Sequence, residues 1–307
     1  MERRRIGTLE VGVVGLGCNN FGMRISADET AAVVDAAIDA GITYFDTAES
    51  YGGGRSEEFL GAALGSRRDR VLIATKWGGR GAPDHPGSPD VVRASLEGSL
   101  RRLGTDHVDH YQLHRPDPGV PVADTLGVLG ELQAEGKIRE IGCSNFSAAQ
   151  LDDAAAAASE LDVAPFASVQ NHYSLLSRGA EHDGVLDACA RLGIGFVPYF
   201  PLESGLLTGK YRAGEPLPEG SRLQTWGERA SSFIDDERLA RVAALTTWAA
   251  DQGHTILELA MSWLVANPQV PSVISGATTP DQVVANASAA NWALTPAELA
   301  EIDTLLR

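Results

Sequence analysis

The chain has 307 residues, of which 44% are hydrophobic, and its formal net charge at pH 7 is -16. This length exceeds that of a small disulfide scaffold and suffices for one large α/β domain or two ordinary ones. The acidic balance argues against nucleic acid as the main partner, because no basic run is long enough to overcome phosphate repulsion.

The compartment is predicted from what the chain lacks. No stretch of about 18 uninterrupted apolar residues is present, so we expect no membrane partner. The opening "MERRRIGTLEV" has no apolar region typical of a secretory signal. The three cysteines, Cys18, Cys143 and Cys189, are odd in number and far apart, which is typical of reduced thiols. We therefore expect a cytoplasmic protein; nothing in the sequence indicates its oligomeric state.

Short apolar runs that recur along the chain are predicted to be β-strands. Most are apolar on both faces, which is typical of strands covered by helices on both sides. The runs lie at 11–17, 41–47, 70–76, 108–114, 139–145, 167–173, 195–200 and 271–277.

The segments between these runs are predicted to contain helices. One of them has Pro89 at its start and Gly104 beyond its end, and the last opens with a capping box from Thr295 to Glu298. The predicted helices cover 28–41, 88–104, 123–136, 147–160, 180–192, 236–252, 255–266, 280–290 and 294–306.

Eight strands that alternate with helices at a spacing of roughly 30 residues favour an α/β fold of the (β/α)8 TIM barrel type. The alternative is a doubly wound open sheet. The interval between the last two strands holds a loop rich in Gly and Pro, 203–232, and one additional helix. Because no linker divides the chain, residues 1–307 are predicted to form a single domain.

Six consecutive predicted strands end on polar or aromatic side chains. In a barrel these ends share one face, where active sites lie, so the sequence predicts a site there. The residues are Asp46, Lys76, His114, Ser144 with Asn145, Gln170 and Tyr199.

Four residues in this region suit the protonation of a carbonyl oxygen. Tyr51 follows Asp46 in a glycine-flanked turn and is a candidate proton donor, although a phenol with a pKa near 10 is a weak acid at neutral pH. A nearby Lys76 ammonium is expected to lower the pKa of Tyr51, and Asp46 is expected to keep Lys76 charged. His114 can hydrogen-bond the same oxygen, while another group delivers hydride to carbon.

The histidines His107, His110 and His114 have spacings that resemble a metal cluster, but no cysteine or carboxylate cage completes it. We expect no metal, and we interpret His110 as a packed residue of the barrel. Five further residues are candidate substrate contacts, of which the three aromatic ones have the alternative of being ordinary loop residues. They are Asn19, Asn20, Trp77, His85 and Trp226.

The motifs "FDTAESYG", "ATK", "QLH", "GCSN", "YFPL", "GLLTGKY" and "GAT" stand in this order along nearly the whole chain. This pattern resembles the aldo-keto reductase superfamily. The resemblance implies a catalytic tetrad of Asp46, Tyr51, Lys76 and His114, with Tyr51 as the general acid. It also implies reversible hydride transfer that reduces an aldehyde or ketone, a small-molecule carbonyl substrate, to an alcohol.

The resemblance further implies a nicotinamide cofactor across the barrel mouth. Lys210 and Arg222 favour NADPH, whereas "GATTP" lacks a basic residue for the 2′-phosphate, so NADH remains an alternative. The implied cofactor-binding residues are Ser144, Asn145, Gln170, Tyr199, Pro201, Leu202, Gly205, Leu206, Lys210, Arg222, Gly276, Thr278, Gln282 and Asn286.

Two other functions stay open at the sequence level. One is a cofactor-binding regulatory or subunit-type barrel with slow turnover. The other is a sugar or polyol dehydrogenase that works in the oxidative direction. The sequence does not identify the substrate.

Overall fold

The computed structural model describes residues 1–212 and 214–306. Ala213, in the predicted loop 203–232, and Arg307, at the end of the predicted domain, lie outside the described residues. The strands of the described part are β1 (Arg3–Ile6), β2 (Leu9–Gly12), β3 (Val14–Gly17), β4 (Tyr44–Asp46), β5 (Leu72–Trp77), β6 (Val108–Leu113), β7 (Ile138–Ser144), β8 (Ser168–His172), β9 (Gly195–Tyr199) and β10 (Val273–Gly276).

Eight of these strands form one parallel sheet, in the order β10-β3-β4-β5-β6-β7-β8-β9. The two outer strands, β9 and β10, contact each other, and Phe196 N donates a hydrogen bond to Gln269 O at 2.7 Å just before β10. The sheet is therefore a nearly closed barrel, and the TIM barrel prediction is confirmed.

Helices surround the barrel, and most of their ends lie within two residues of the predicted ones. Helix α2 and the short helix α7 were not predicted. The helices are α1 (Ala27–Asp39), α2 (Arg55–Leu64), α3 (Pro89–Leu103), α4 (Val122–Ala134), α5 (Ala148–Leu161), α6 (Val185–Leu192), α7 (Arg222–Trp226), α8 (Asp236–Asp251), α9 (Ile256–Ala266), α10 (Pro280–Ser288) and α11 (Pro296–Leu305). Within the described ranges, none of them is long and apolar enough to cross a membrane.

The predicted strand 11–17 is two strands in the structure. Its first residues belong to β2, which pairs with β1 in an antiparallel hairpin, and only β3 enters the barrel. The hairpin side chains Ile6 and Leu9 pack with interior residues of the barrel, and Thr8 N donates to Glu140 Oε1 at 2.7 Å. The hairpin therefore covers the end of the barrel opposite the strand ends that carry the predicted site.

A hydrogen-bonded histidine occupies the barrel interior near this covered end. His110 is fully buried; Tyr44 Oη lies 2.7 Å from its Nδ1 and Ser168 Oγ lies 3.3 Å from its Nε2. Gly142 makes room for the ring, since a Cβ there would collide with His110 Nε2. Its interpretation as a packed, hydrogen-bonded barrel residue is thus supported by geometry.

This histidine leads to a prediction about acid stability. Burial, with the nearby Lys76 charge as the second cause, lowers the pKa of His110 from 6.5 to about 3. Between these values the unfolded chain binds the proton and the folded protein does not, so stability falls as the pH falls. We expect His110 to reduce the free energy of unfolding by about 1.4 kcal/mol for each pH unit below its ordinary pKa.

The measurement is urea unfolding of wild type and His110→Gln from about pH 6.5 to about pH 4.5. Wild type should lose stability more steeply than the variant, because glutamine binds no proton in either state. Parallel pH dependences in the two proteins would contradict the prediction.

Candidate active site

A cleft of about 730 Å³ opens at the carboxyl ends of the barrel strands. Parallel strands bring their ends to one face of a barrel, so residues far apart in sequence meet there. Most of the predicted site residues line this cleft. Those that do are Asn19, Asn20, Asp46, Tyr51, His114, Ser144, Asn145, Gln170, Tyr199, Pro201, Leu202, Gly205, Lys210, Arg222, Gly276, Thr278, Gln282 and Asn286.

The floor of the cleft holds a buried ion pair. Lys76 Nζ lies 2.6 Å from Asp46 Oδ1 and donates a second hydrogen bond to Thr47 O at 2.8 Å. Asp46 Oδ2 accepts from the side-chain amides of Gln170 at 3.0 Å and Gln112 at 3.3 Å. Both oxygens of Asp46 are therefore fixed, and its charge faces that of Lys76.

Lys76 is charged even though it is fully buried. Burial alone would lower the pKa of Lys76, but Asp46 and Tyr51 together raise it above its usual value. An ammonium has three protons, and Asp46 and Thr47 take two of them. The third is available to the phenolic oxygen of Tyr51, whose ring centroid lies 5.2 Å from Lys76 Nζ.

The expected effect of Lys76 on Tyr51 is present, but its expected net outcome is wrong. Burial raises the pKa of Tyr51, and the Lys76 charge opposes this without reversing it, so the pKa ends above its usual value. The sequence could not show the balance, since burial depends on packing that no local motif encodes. Tyr51 is therefore a protonated phenol at neutral pH.

His114 stands beside Tyr51, with ring centroids 5.9 Å apart and an edge-on arrangement. Burial, then the charges of Lys76 and Arg115, lower the pKa of His114 from 6.5 to about 3. The imidazole is thus neutral at physiological pH. Its Nδ1 is buried and has no hydrogen-bond partner in the part of the chain that the structure describes.

A set of side-chain amides and hydroxyls continues the cleft from His114. Asn145 Nδ2 donates to His114 O at 2.9 Å, and Asn145 Oδ1 accepts from Tyr199 Oη at 2.9 Å. Ser144 Oγ donates to Gln170 O at 2.7 Å. These contacts link four neighbouring strand ends, those of β6, β7, β8 and β9.

One face of the Tyr199 ring packs against another aromatic side chain, His172. It stacks on His172 with centroids 5.4 Å apart and an interplanar angle of 11°, and His172 Nε2 lies 2.7 Å from Glu203 Oε1. The other Glu203 oxygen pairs with Arg238 of α8 at 2.6 Å. Burial would raise the pKa of Glu203, but hydrogen bonds from His172 and Ser174 bring it below its usual value.

Three cationic side chains, Arg24, Lys210 and Arg222, line another part of the cleft. Arg24 Nη2 donates to Gly220 O at 2.7 Å, and Arg222 Nη2 donates to Asn20 Oδ1 at 3.0 Å. Burial, then Arg24 and Arg222, lower the pKa of Lys210. None of the three forms an ion pair with the described residues, so this group carries uncompensated positive charge.

A buried hydroxyl beside these cations also lacks a partner. Ser204 lines the cleft, and its Oγ has no hydrogen bond within the described ranges. Gly205 follows in the left-handed region, with φ of 99°. A Cβ at Gly205 would lie 2.7 Å from Lys210 Cε, so glycine allows Lys210 to fold over this turn.

The start of α10 is only partly available for an anion. Thr279 caps the helix by accepting from Gln282 N at 3.3 Å. Gln282 Oε1 in turn accepts from Thr278 N at 2.8 Å. Two donors at this helix start are therefore satisfied within the protein.

Five predicted residues do not line the cleft. One is Lys76, which is fully buried beneath it and reaches Asp46; the other four lie elsewhere. Leu206 is fully buried in the hydrophobic core. Trp77 is also fully buried; it stacks on Tyr111 with centroids 4.3 Å apart. His85 is exposed and lies beside Gly119. Trp226 packs on Phe233, with ring centroids 4.7 Å apart.

The position of Trp77 follows from strand geometry. Successive side chains of a strand point to opposite faces, and Lys76 points into the barrel towards Asp46. Trp77 therefore points outward, into the layer between the strands and the helices. Trp77 was predicted to be a substrate contact or an ordinary loop residue, but it is the last residue of β5.

Three functional candidates were missed by the sequence analysis. Gln112 is on β6 and lies two residues before His114, which directly follows the strand. The alternation of strand side chains could have placed both on the inner face. Arg24 and Arg115 lie in loops that follow barrel strands, and both line the cleft. Loops at the carboxyl ends of barrel strands face the active site, so any cation in them was a candidate.

The spaced histidines do not meet. His107 Nδ1 lies 2.8 Å from Asp106 Oδ1 at the surface, His110 is in the barrel interior, and His114 is at the cleft. Among the described residues, no three His, Cys, Asp or Glu side chains are grouped as metal ligands would be.

Comparison with known proteins gives consistent results. A family model described as "Aldo/keto reductase family" matches residues 13–307. "Aldo-keto reductase YhdN" from Bacillus subtilis (strain 168) is 36% identical over 309 residues, which cover 97% of this chain and 91% of that protein.

Two further matches differ in their descriptions. A protein of Oryza sativa subsp. japonica described as "Probable voltage-gated potassium channel subunit beta" is 36% identical over 296 residues, covering 94% of this chain and 90% of that protein. The solved structure of the glycerol dehydrogenase AKR11B4 from Gluconobacter oxydans is similar with a TM-score of 0.82 and 29% identity, covering 99% of this chain and 94% of that one.

Proposed function

Since the chain belongs to the aldo/keto reductase family, we propose that it reduces an aldehyde or ketone to an alcohol with NADPH, reversibly, and with Tyr51 as the general acid. The protein is an oxidoreductase enzyme. The observation that carries the proposal is the position of Tyr51 at the cleft, beside neutral His114 and above the buried Lys76–Asp46 pair.

The proton chemistry follows from the charges around Tyr51. Its raised pKa keeps the proton on the phenol until a carbonyl oxygen develops negative charge and accepts it. Lys76 then faces a phenolate, which its ammonium stabilises. His114 is neutral and can donate a hydrogen bond to the same carbonyl oxygen without bringing a second positive charge into the cleft.

The cleft also fits a dinucleotide cofactor. The unpaired cations Arg24, Lys210 and Arg222 and the partnerless hydroxyl of Ser204 are groups that phosphates would satisfy. Ser144, Asn145 and Gln170 would hold the carboxamide, and Tyr199 would stack on the nicotinamide ring. When bound, this cofactor supplies the hydride for the carbonyl carbon.

The remaining residues would hold the adenosine end and the pyrophosphate of the cofactor. Gly276, Thr278, Gln282 and Asn286 lie together at β10 and the start of α10 and would contact the adenosine end. Pro201, Leu202 and Gly205 would follow the pyrophosphate. The side chain of Leu206 belongs to the core, so its contribution would be to shape the turn beneath this stretch.

The function is tested by NADPH consumption with a reactive aldehyde such as 4-nitrobenzaldehyde. Wild type should consume NADPH steadily and produce the alcohol. Two alternatives predict other results. A regulatory or subunit-type barrel, to which the description of the rice relative points, would bind NADPH but turn over slowly. A polyol dehydrogenase, to which the Gluconobacter structure points, would be faster with an alcohol and the oxidised cofactor.

Cofactor preference is a separate prediction. Thr278 and Gln282 can hydrogen-bond a 2′-phosphate but cannot neutralise it, so preference depends on the three cations. Charge-assisted contacts are about twice as strong as neutral ones, and we expect NADPH to bind about tenfold to a few hundredfold more tightly than NADH. Titration of both cofactors against wild type, Lys210→Ala, Arg222→Ala and Arg24→Ala measures this.

The three alanine variants should weaken the binding of NADPH more than the binding of NADH. Arg101→Ala is the matched control, because Arg101 is an exposed cation on α3 that does not line the cleft. Tighter binding of NADH by wild type, or equal losses for both cofactors, would show that these cations do not hold the 2′-phosphate.

A further inference from the structure

A fourth cation of the cleft, Arg115, has no role in the proposed function. It directly follows His114 in the loop after β6, lines the cleft, and is exposed. It forms no hydrogen bond or ion pair with the part of the chain that the structure describes. In a chain with 41 acidic and 25 basic residues, an arginine that lines a cleft without an acidic partner calls for a ligand.

Arg115 lies at the reacting end of the cleft. Its positive charge is a cause, after burial and Lys76, of the lowered pKa of His114. It also opposes the effect of burial, which raises the pKa of Tyr199. Arg115 is thus close enough to both residues to act on them electrostatically, and these residues flank the place where a carbonyl would be reduced.

The other cations of the cleft form a separate group. After burial, Arg24 contributes to the lowered pKa of both Lys210 and Arg222, and Arg222 contributes to that of Lys210. Arg222 also interacts with Tyr51, but the causes given for the pKa shifts of His114 and Tyr199 include Arg115 and none of these three cations. The phosphates of a dinucleotide would lie at that group. Arg115 is therefore available to bind a ligand other than the phosphates of the cofactor.

No acid of the cleft is available to Arg115. Among the described residues that line it, the acids are Asp46 and Glu219. Asp46 is paired with Lys76, and Glu219 stands next to Gly220, to which Arg24 is bonded. In addition, Pro116 restricts the backbone of Arg115 to extended conformations, which limits the directions its side chain can take.

We propose that Arg115 binds an anionic group of the substrate, a carboxylate or a phosphate, so that the enzyme prefers short aldehydes that carry one. The planar guanidinium matches both anions with paired hydrogen bonds. His114 and Arg115 line the same cleft, so the anion site and the place of reduction share one cavity that a short substrate occupies. This inference rests on the proposed reductase function.

The test uses pairs of aldehydes that differ in the anion. Succinic semialdehyde is compared with butanal, and glyceraldehyde 3-phosphate with glyceraldehyde, each with NADPH. We expect wild type to have kcat/KM about tenfold to a hundredfold higher for the anionic member of at least one pair. Arg115→Met should remove this preference, mainly through a higher KM, and Arg115→Lys should restore part of it. Arg101→Met changes the net charge equally and should keep the preference.

The outcomes separate the two proposals. A preference in one pair only supports the inference and identifies the anion as carboxylate or phosphate. If butanal and glyceraldehyde are reduced without any preference for the anionic partners, or if Arg115→Met affects both members equally, the inference is overturned while the reductase function stands. If no aldehyde is reduced by wild type, the proposed function fails and the inference fails with it.

Discussion

Tyr51→Phe is expected to lower kcat for NADPH-dependent aldehyde reduction by about 10²–10⁴-fold, the usual loss when a general acid is removed. The change deletes only the phenolic oxygen, and the ring remains beside His114. The Kd for NADPH should stay within a few-fold of wild type, because the cations and amides of the cleft are untouched. Single-turnover reduction of 4-nitrobenzaldehyde and a fluorescence titration with NADPH measure the two quantities.

A matched control separates the lost proton from a general disturbance of aromatic packing. Tyr199→Phe also deletes one phenolic oxygen, which donates to Asn145 at 2.9 Å, but the proposal gives that oxygen no proton to transfer. Its loss in kcat should therefore be far smaller. If Tyr51→Phe turns over within a few-fold of wild type, Tyr51 is not the donor.

Lys76→Met is expected to damage both stability and activity. Lys76 and Asp46 form a fully buried pair, and removal of one partner of such a pair typically costs about 3–5 kcal/mol because the other charge is left uncompensated. The ammonium that stabilises the phenolate is also lost, so the pKa of Tyr51 should rise further. Urea unfolding and the pH dependence of kcat measure the two effects.

The double variant Asp46→Asn/Lys76→Met separates the effect of Lys76 on stability from its effect on activity. Without either charge, part of the lost stability should return, whereas activity should not, since the phenolate still has no ammonium beside it. In the direction of alcohol oxidation, where Tyr51 must accept a proton, the rate should rise with pH as Tyr51 is deprotonated, and this rise should move to higher pH. An unchanged pH profile in the folded variant would refute the electrostatic role of Lys76, even if Tyr51 proved essential.

The barrel and the place of its site could be predicted because their signals are local. Apolar runs at regular spacing predict parallel strands, and a polar residue after such a run falls on one known face. Asp46, His114 and Gln170 were placed at the cleft by this rule alone. The helix starts at Ser147 and Thr295 follow from capping boxes that the structure contains.

Other features could not be predicted, because they depend on contacts between distant segments. The hairpin of β1 and β2 has charged outer faces and short strands, and its apolar side chains acquire a partner only when the barrel is closed. The bond between Arg222 and Asn20 spans 202 positions, which no local pattern encodes. The net pKa of Tyr51 likewise depends on how deeply the assembled loops bury it.

The same hairpin has a consequence for how the chain acquires its fold during synthesis. Arg4 donates hydrogen bonds to the backbone oxygens of Val265, Asn267 and Val270, and β3 pairs with β10. The hairpin and β3 are thus made long before their partners leave the ribosome. Contacts of such high sequence separation slow folding, so a nascent chain that has not yet reached residue 276 has an unpaired edge at β3. The amino-terminal hairpin and this edge of β3 therefore acquire their final partners only when the last part of the barrel, including β10, has been synthesised.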